Sequence, residues 1–164
     1  MNKKLSILLE ILELLFLPLI CLPIHFKLLE KKELDWWKWK PIMWCGYILC
    51  QPGFNIILKD KREWIHQNIH LQQARSHFVT WPGYYLSYFL DNFLGFICTG
   101  SWRGGKLTGK WESEAYGEED NQDYVYNYHR DLIRKYTFTL SERHELWKNV
   151  EEDYERWIKL LKEL

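Results

Sequence analysis

Hydrophobic and polar positions change period several times along this chain, and each change marks an element. Residues 3–17, KKLSILLEILELLFL, are apolar at helical spacing behind a basic start, and they predict a helix ending near Pro18. Residues 27–40, KLLEKKELDWWKWK, mix charge with tryptophan and read as a connection. Two apolar runs rich in β-formers follow, 42–50 and 54–58, separated by Gln51-Pro52-Gly53, a strong turn signal. They predict a β-hairpin. A helix opens at 59–64, KDKREW, and continues through residue 77.

Residues 78–98, FVTWPGYYLSYFLDNFLGFIC, carry Asp91 as their one charge, and Pro82 suits the first turn of a helix. The segment reads as a helix over 83–97, buried or in contact with lipid. Its neighbour TGSWRGGKLTGK reads as a loop by its glycines. Residues 111–136 read as one further helix, acidic early and basic late as the helix dipole prefers. Residues 141–164 read as a charged amphipathic helix with Leu146, Val150, Tyr154, Trp157 and Leu161 on one stripe. Ser141 and Glu145 approximate a capping box at a spacing one residue too long. The elements together give an α+β, mainly helical fold.

Composition narrows the function classes. Lys plus Arg equals Asp plus Glu in the 164 residues, so net charge makes no case for nucleic acid. Basic spots such as 59–62 are ordinary solvated faces. Ten Trp and ten Tyr suit interfaces and membrane boundaries. The four cysteines form no CxxC pair, which argues against a zinc ribbon, and Cys45 and Cys50 are expected as buried free thiols. Residues 5–26 have the length of a membrane span but hold two glutamates and two prolines. They fit an amphipathic or partly buried helix lying on a membrane face better than a span or a signal peptide.

The candidate chemistry lies at 63–77, EWIHQNIHLQQARSH. His66 and His70 are four apart, so on a helix both imidazoles project from one face and can reach one zinc ion. Alone this is a weak signal, and its bland counterpart is two histidines on an ordinary helix. A zinc site of this kind wants a third protein ligand, and Glu112 opens a helix some forty residues downstream as Glu-x-x-Ala. Glu114 points away from Glu112 by helical geometry.

NIILKDKREWIHQNIHLQQ, WPGYYLSYFLDNFL and WESEAYGEEDNQDYVYNYHRDLIRKYTF occur in that order. In this the chain resembles a group of small zincin-like proteins of Bacteroidetes. Their pattern is a hairpin, HExIHxxQ, an aromatic-aliphatic stretch, and a helix opening FEREAY. The likeness covers about residues 40–138. It implies a zincin-like domain at 36–140, with an N-terminal helix and linker at 1–35 and a C-terminal helix at 141–164. It also implies Zn2+ held by His66, His70 and Glu112, a peptide or protein substrate, and a location in the bacterial cytoplasm or at the peripheral or inner membrane.

Gln67 stands where the family has its catalytic glutamate. A carboxamide has no useful basicity, so the expectation is a gluzincin-like domain that binds zinc but is a degenerate metallopeptidase. Glu63 is one turn earlier on the same face and is the first candidate for a substitute base, with Glu114 and Glu118 behind it. Gln72 and Gln73 are candidate partners of the ligands. The alternative is a non-catalytic membrane-surface or interaction scaffold without metal.

Overall fold

The computed structural model describes residues 3–20, 30–36, 42–53, 61–78, 80–150, 159 and 161–163. It is mainly helical, with one small three-stranded mixed sheet. In chain order the elements are α1 (Lys3–Ile20), β1 (Glu30–Glu33), β2 (Ile42–Trp44), β3 (Tyr47–Cys50), α2 (Lys61–His77) and α3 (Trp81–Thr99). Then come α4 (Trp102–Thr108), α5 (Lys110–Glu118), α6 (Gln122–Tyr126), a 3-10 turn (Leu132–Tyr136) and α7 (Leu140–Val150).

The hairpin lies inside the first apolar run. β2 and β3 pair antiparallel, Ile42 with Leu49 and Trp44 with Tyr47. Their two-residue turn is Cys45-Gly46, both at positive φ, 51° and 83°, as a primed hairpin turn requires. Cysteine is an unusual residue there, which is why the turn is hard to read from sequence. Its backbone N–H donates to the Tyr85 hydroxyl at 2.7 Å, which ties the turn to α3. Gln51-Pro52-Gly53 does form a turn, with Gly53 at φ 71°, but it follows β3. The expected second strand, 54–58, lies outside the described residues, as do residues 21–26 of the apolar N-terminal stretch.

The third strand comes from the segment read as a connection. β1, Glu-Lys-Lys-Glu, pairs parallel with β3, and the strand order is β1-β3-β2. An edge strand made of charges carries no apolar alternation, yet charge suits an edge because it discourages further pairing.

The sheet is covered on both faces. Leu14 of α1 packs with Leu34 and Leu49, while Met43 and Cys45 pack with Leu71 and Ala74 of α2 and Trp81 and Tyr84 of α3. Cys45 and Cys50 are buried free thiols. At the far end, Leu161 is buried with Leu107, Tyr136 and Trp147. Tyr154, Trp157 and the Val150 side chain from the expected C-terminal stripe lie outside the described residues.

The stretch read as a loop holds a helix. Ser101 caps α4 by accepting from the Gly104 N–H, and the glycines serve packing rather than turning. A Cβ on Gly105 would meet the Asn92 carbonyl at 2.5 Å, and one on Gly95 would meet the Gly105 carbonyl at 2.6 Å. Backbone-to-backbone contact of α3 with α4 therefore depends on both. The single helix expected over 111–136 is broken instead, because Asn121 starts α6 afresh by accepting from the Tyr124 N–H at 3.2 Å. The capping box of α7 is Thr139 and Glu142, at the standard spacing, in place of Ser141 and Glu145. The Glu142 carboxylate accepts from the Thr139 N–H at 2.7 Å, and Thr139 Oγ1 accepts from the Glu142 N–H at 3.3 Å.

Asp91, the charge in the apolar helix, is buried. It is paired with Arg143 of α7, whose second guanidinium nitrogen donates to the Asp91 carbonyl at 2.9 Å. Asp91 Oδ2 accepts from the Lys110 N–H at 2.7 Å, so it also caps α5. Replacing Arg143 with methionine leaves this carboxylate buried without its cation. The expected cost is about 3–5 kcal/mol, read as a lowered denaturation midpoint; a change under about 1 kcal/mol contradicts the ion pair.

Candidate metal centre

Helix α2 is unusual in what it buries. Its sequestered positions include His66, Gln67, His70 and Gln73 alongside Ile65, Ile69, Leu71 and Ala74. Buried polar groups need partners, so the inner face of α2 is a hydrogen-bonding surface as well as a packing one. The apolar positions set the distance to α5. Ile65 and Ile69 pack against Ala115, a small residue that lets the two helices approach. Glu112 sits one turn before Ala115, in the first turn of α5, and this places its carboxylate opposite the two histidines.

The structure brings His66, His70 and Glu112 together, with their donor atoms all within 4.8 Å of one another. His66 Nε2 and His70 Nε2 are 3.2 Å apart. Each lies 3.7 Å from an oxygen of Glu112, Oε2 for His66 and Oε1 for His70. Tetrahedral ligation at about 2.1 Å sets donor atoms about 3.4 Å apart, so the three residues fit zinc. Among the described residues Glu112 Oε2 is buried with no hydrogen-bond partner, whereas Oε1 accepts from the Tyr88 hydroxyl. An uncompensated carboxylate oxygen facing two imidazoles is costly unless something else binds it.

Of the two remaining ring nitrogens, that of His70 is oriented by a hydrogen bond, whereas among the described residues that of His66 has none. His70 Nδ1 is 2.8 Å from Gln73 Oε1 and 3.4 Å from the Tyr84 hydroxyl. His66 Nδ1 lies 3.5 Å from Glu119 Oε2, and the His66 ring packs on Tyr116 at 4.5 Å between centroids. Such outer contacts fix ring orientation in metal sites. Burial lowers His70 to about 4, against the pull of Glu112, so its ring is neutral at neutral pH as a metal ligand must be. Burial raises Glu112, but Lys106, the two histidines and the Tyr88 hydrogen bond outweigh it and hold the carboxyl below its ordinary range. Lys106 Nζ is 3.6 Å from Glu112 Oε1.

The three residues open on a cavity of about 300 Å³ walled by apolar and aromatic side chains. Gln67 and Glu63 both line it, and Gln67 Nε2 donates to Glu63 Oε1 at 2.6 Å. The other two acids named as substitute bases are elsewhere. Glu114 is buried on the far side of α5, accepting from Gln73 at 2.7 Å, Tyr124 at 2.6 Å and Tyr128 at 3.4 Å. Burial pushes its carboxyl up to about 7 in spite of those donors. Glu118 accepts from Tyr136 at 2.7 Å and Lys135 at 3.2 Å. Neither carboxylate lines the cavity. The break between α5 and α6 explains the Glu114 network. A continuous helix would carry Tyr124 about 15 Å along the axis from Glu114; the bend folds it back.

Tyr88, Lys106 and Glu119 were not singled out from sequence. Tyr84 and Tyr88 share a face of α3 at i,i+4 spacing, a visible signal, but Lys106 was hidden in a stretch that reads as loop. No family model, curated protein or solved structure matches this chain.

Gln73 is fully buried and also donates to the Trp111 carbonyl at 2.8 Å, so it joins α2 to α5. In Gln73→Leu, that carbonyl loses the Gln73 donor and Glu114 loses one of its three. Stability to denaturant should fall by about 1–3 kcal/mol or more. A neutral substitution would mean that these contacts do not hold the helices together.

Proposed function

We propose that this protein is a zinc-binding, gluzincin-like domain whose peptidase chemistry is absent or strongly impaired. The observation that carries the reading is the buried Glu112 oxygen facing His66 and His70 at ligand spacing. The likeness of HQxxH and ExxA to the zincin pattern points the same way. Zinc supplies Lewis-acid polarisation of a carbonyl and of a nucleophilic water.

The rest falls to the chain's own residues. Gln67 lines the cavity at the position of the usual general base, and its carboxamide donates and accepts hydrogen bonds but takes up no proton near neutral pH. It orients a water without deprotonating it. Glu63 is the nearest carboxylate along α2, already bonded to Gln67, and is the substitute base if one operates. Tyr88 donates to Glu112, and its phenol is raised well above its ordinary range by burial, so it acts as a neutral donor. Lys106 is half exposed beside the cavity and suits an anionic group on a bound peptide. The competing reading, a metal-free membrane-surface scaffold, draws its support from exposed apolar helix faces rather than from this site.

The test compares the protein with its Gln67→Glu variant for zinc content and for chelator-sensitive hydrolysis of a general protein substrate. Both forms should carry stoichiometric zinc. The variant should hydrolyse faster by up to about 10²–10⁴-fold, the usual worth of general-base help. Robust hydrolysis by the natural protein that disappears in Glu63→Gln would identify Glu63 as the base and remove the word impaired. Zinc absent from both forms would contradict the proposal.

A further inference from the structure

The metal cavity carries the marks of the molecule it receives. Of the side chains around it only Ile42 and Lys106 are exposed, and the others are buried or half-buried, so the cavity is a recess whose rim these two mark. Its volume of about 300 Å³ stands at the lower end of the range for ligand sites, about 300–1,000 Å³. That is room for one large side chain with its backbone groups rather than for an extended peptide. The wall is aromatic. Trp44 stacks on Tyr85 with ring centroids 4.4 Å apart and an interplanar angle of 23°. Three tyrosine hydroxyls of the wall are engaged with the protein: Tyr85 accepts from the Cys45 N–H, Tyr84 lies 3.4 Å from His70 Nδ1, and Tyr88 donates to Glu112. What these rings leave for an occupant is hydrocarbon, which suits a flat or bulky apolar side chain.

Charge narrows the occupant further. Two carboxylates, Glu63 and Glu112, and one ammonium, Lys106, line the cavity. Glu63 accepts from Gln67 Nε2 at 2.6 Å, and Glu112 faces the two histidines. Lys106 is carried by α4, whose Gly105 lies against the α3 backbone, so its main chain is fixed while its side chain is half exposed. Among the described residues its one ion contact is Glu112 Oε1 at 3.6 Å, longer than a hydrogen bond. The ammonium therefore keeps donors for a ligand, and keeps more of its charge for one when Glu112 is committed to a metal ion. A peptide's N-terminal ammonium would meet Lys106 and the ion as like charges, whereas a carboxylate meets both as opposite charges.

We propose that the cavity is a pocket for a C-terminal residue, in which Lys106 receives a free α-carboxylate and an aromatic or large aliphatic side chain packs on Trp44, Tyr85 and Tyr88. Two ligands share this chemistry, the C-terminus of a peptide and a free N-acyl amino acid. The proposal rests on the zinc reading for the commitment of Glu112, while the aromatic recess and Lys106 are there without it. Lys106 is the specificity-determining residue, since it selects a free acid over the corresponding amide through a charge-assisted hydrogen bond.

The experiment is titration calorimetry of the full chain, zinc-loaded and separately in chelator, with N-acetyl-phenylalanine, its amide and N-acetylglycine. Zinc content is measured on the same samples. In both states the acid should bind at least about tenfold tighter than the amide, the usual worth of a hydrogen bond to a charged group, and by a wider margin with zinc. It should also bind at least about tenfold tighter than N-acetylglycine, which lacks the apolar side chain. Lys106→Met should erase the preference for the acid and keep that for the aromatic side chain, and Lys106→Arg should keep both. An N-acetylated tetrapeptide ending in phenylalanine separates the two sources. Binding as tight as that of N-acetyl-phenylalanine assigns the pocket to peptide termini, and much weaker binding assigns it to the free amino-acid derivative. No binding, or equal affinity for acid and amide, in a chain that carries zinc overturns the pocket and leaves the zinc reading standing. Absence of zinc, with a Lys106-dependent preference in chelator, overturns the zinc reading and leaves the pocket. A preference for the acid that is undiminished in Lys106→Met also overturns the proposal, because Lys106 is then not the carboxylate's receptor.

Discussion

The position of the candidate centre depends on one carboxamide. Gln73 uses its oxygen to hold His70 Nδ1 and its nitrogen to hold both the Trp111 carbonyl and Glu114. The first contact turns the His70 ring so that Nε2 faces His66; the others lock α5 against α2 beside Glu112. Orientation of one ligand and placement of the helix bearing another are thus set by one buried side chain. A methylene-scale shift of Gln73 would disturb both, because a hydrogen bond tolerates only a few tenths of an ångström before it weakens.

A second polar anchor acts from the opposite side. Asp91, held by Arg143, caps the first turn of α5 through the Lys110 N–H. Glu112 therefore lies on a helix fixed near its start by Asp91 and along its length by Gln73 and Ala115. Interior hydrogen bonds of this kind are stronger than exposed ones and costly when broken, which makes the placement of Glu112 rigid. The same arrangement explains why α3 turns its polar residues inward. With Asp91 and Asn92 committed to α7 and the α4–α5 region, its leucines and phenylalanines face outward.

The helical skeleton of α1, α2 and α3 was legible because apolar periodicity and Pro82 mark it. His66 and His70 were legible as a pair from their i,i+4 spacing, and Glu112 was brought to them by the resemblance of Glu-x-x-Ala to the zincin pattern; the structure places the three together. Three features were not legible. β1 is a strand made of charges, stabilised by its partner β3 rather than by its own composition. The hairpin turn uses a cysteine at positive φ, held by Tyr85 from forty residues away. The glycines of α4 look like loop residues but serve a backbone contact with α3 that only tertiary structure reveals. The outward face of α3 is ambiguous for a related reason: apolar periodicity tells which residues share a face and not whether protein or lipid covers it.

The central claim is that His66, His70 and Glu112 share one zinc ion. X-ray absorption at the zinc edge of the zinc-loaded full chain tests it most directly. The account predicts a first shell of nitrogen and oxygen at about 2.0–2.2 Å, with the multiple-scattering signature of two imidazoles and no sulfur. A sulfur shell at about 2.3 Å would assign the metal to cysteine instead, and a spectrum without imidazole scattering would remove the histidine pair from the site.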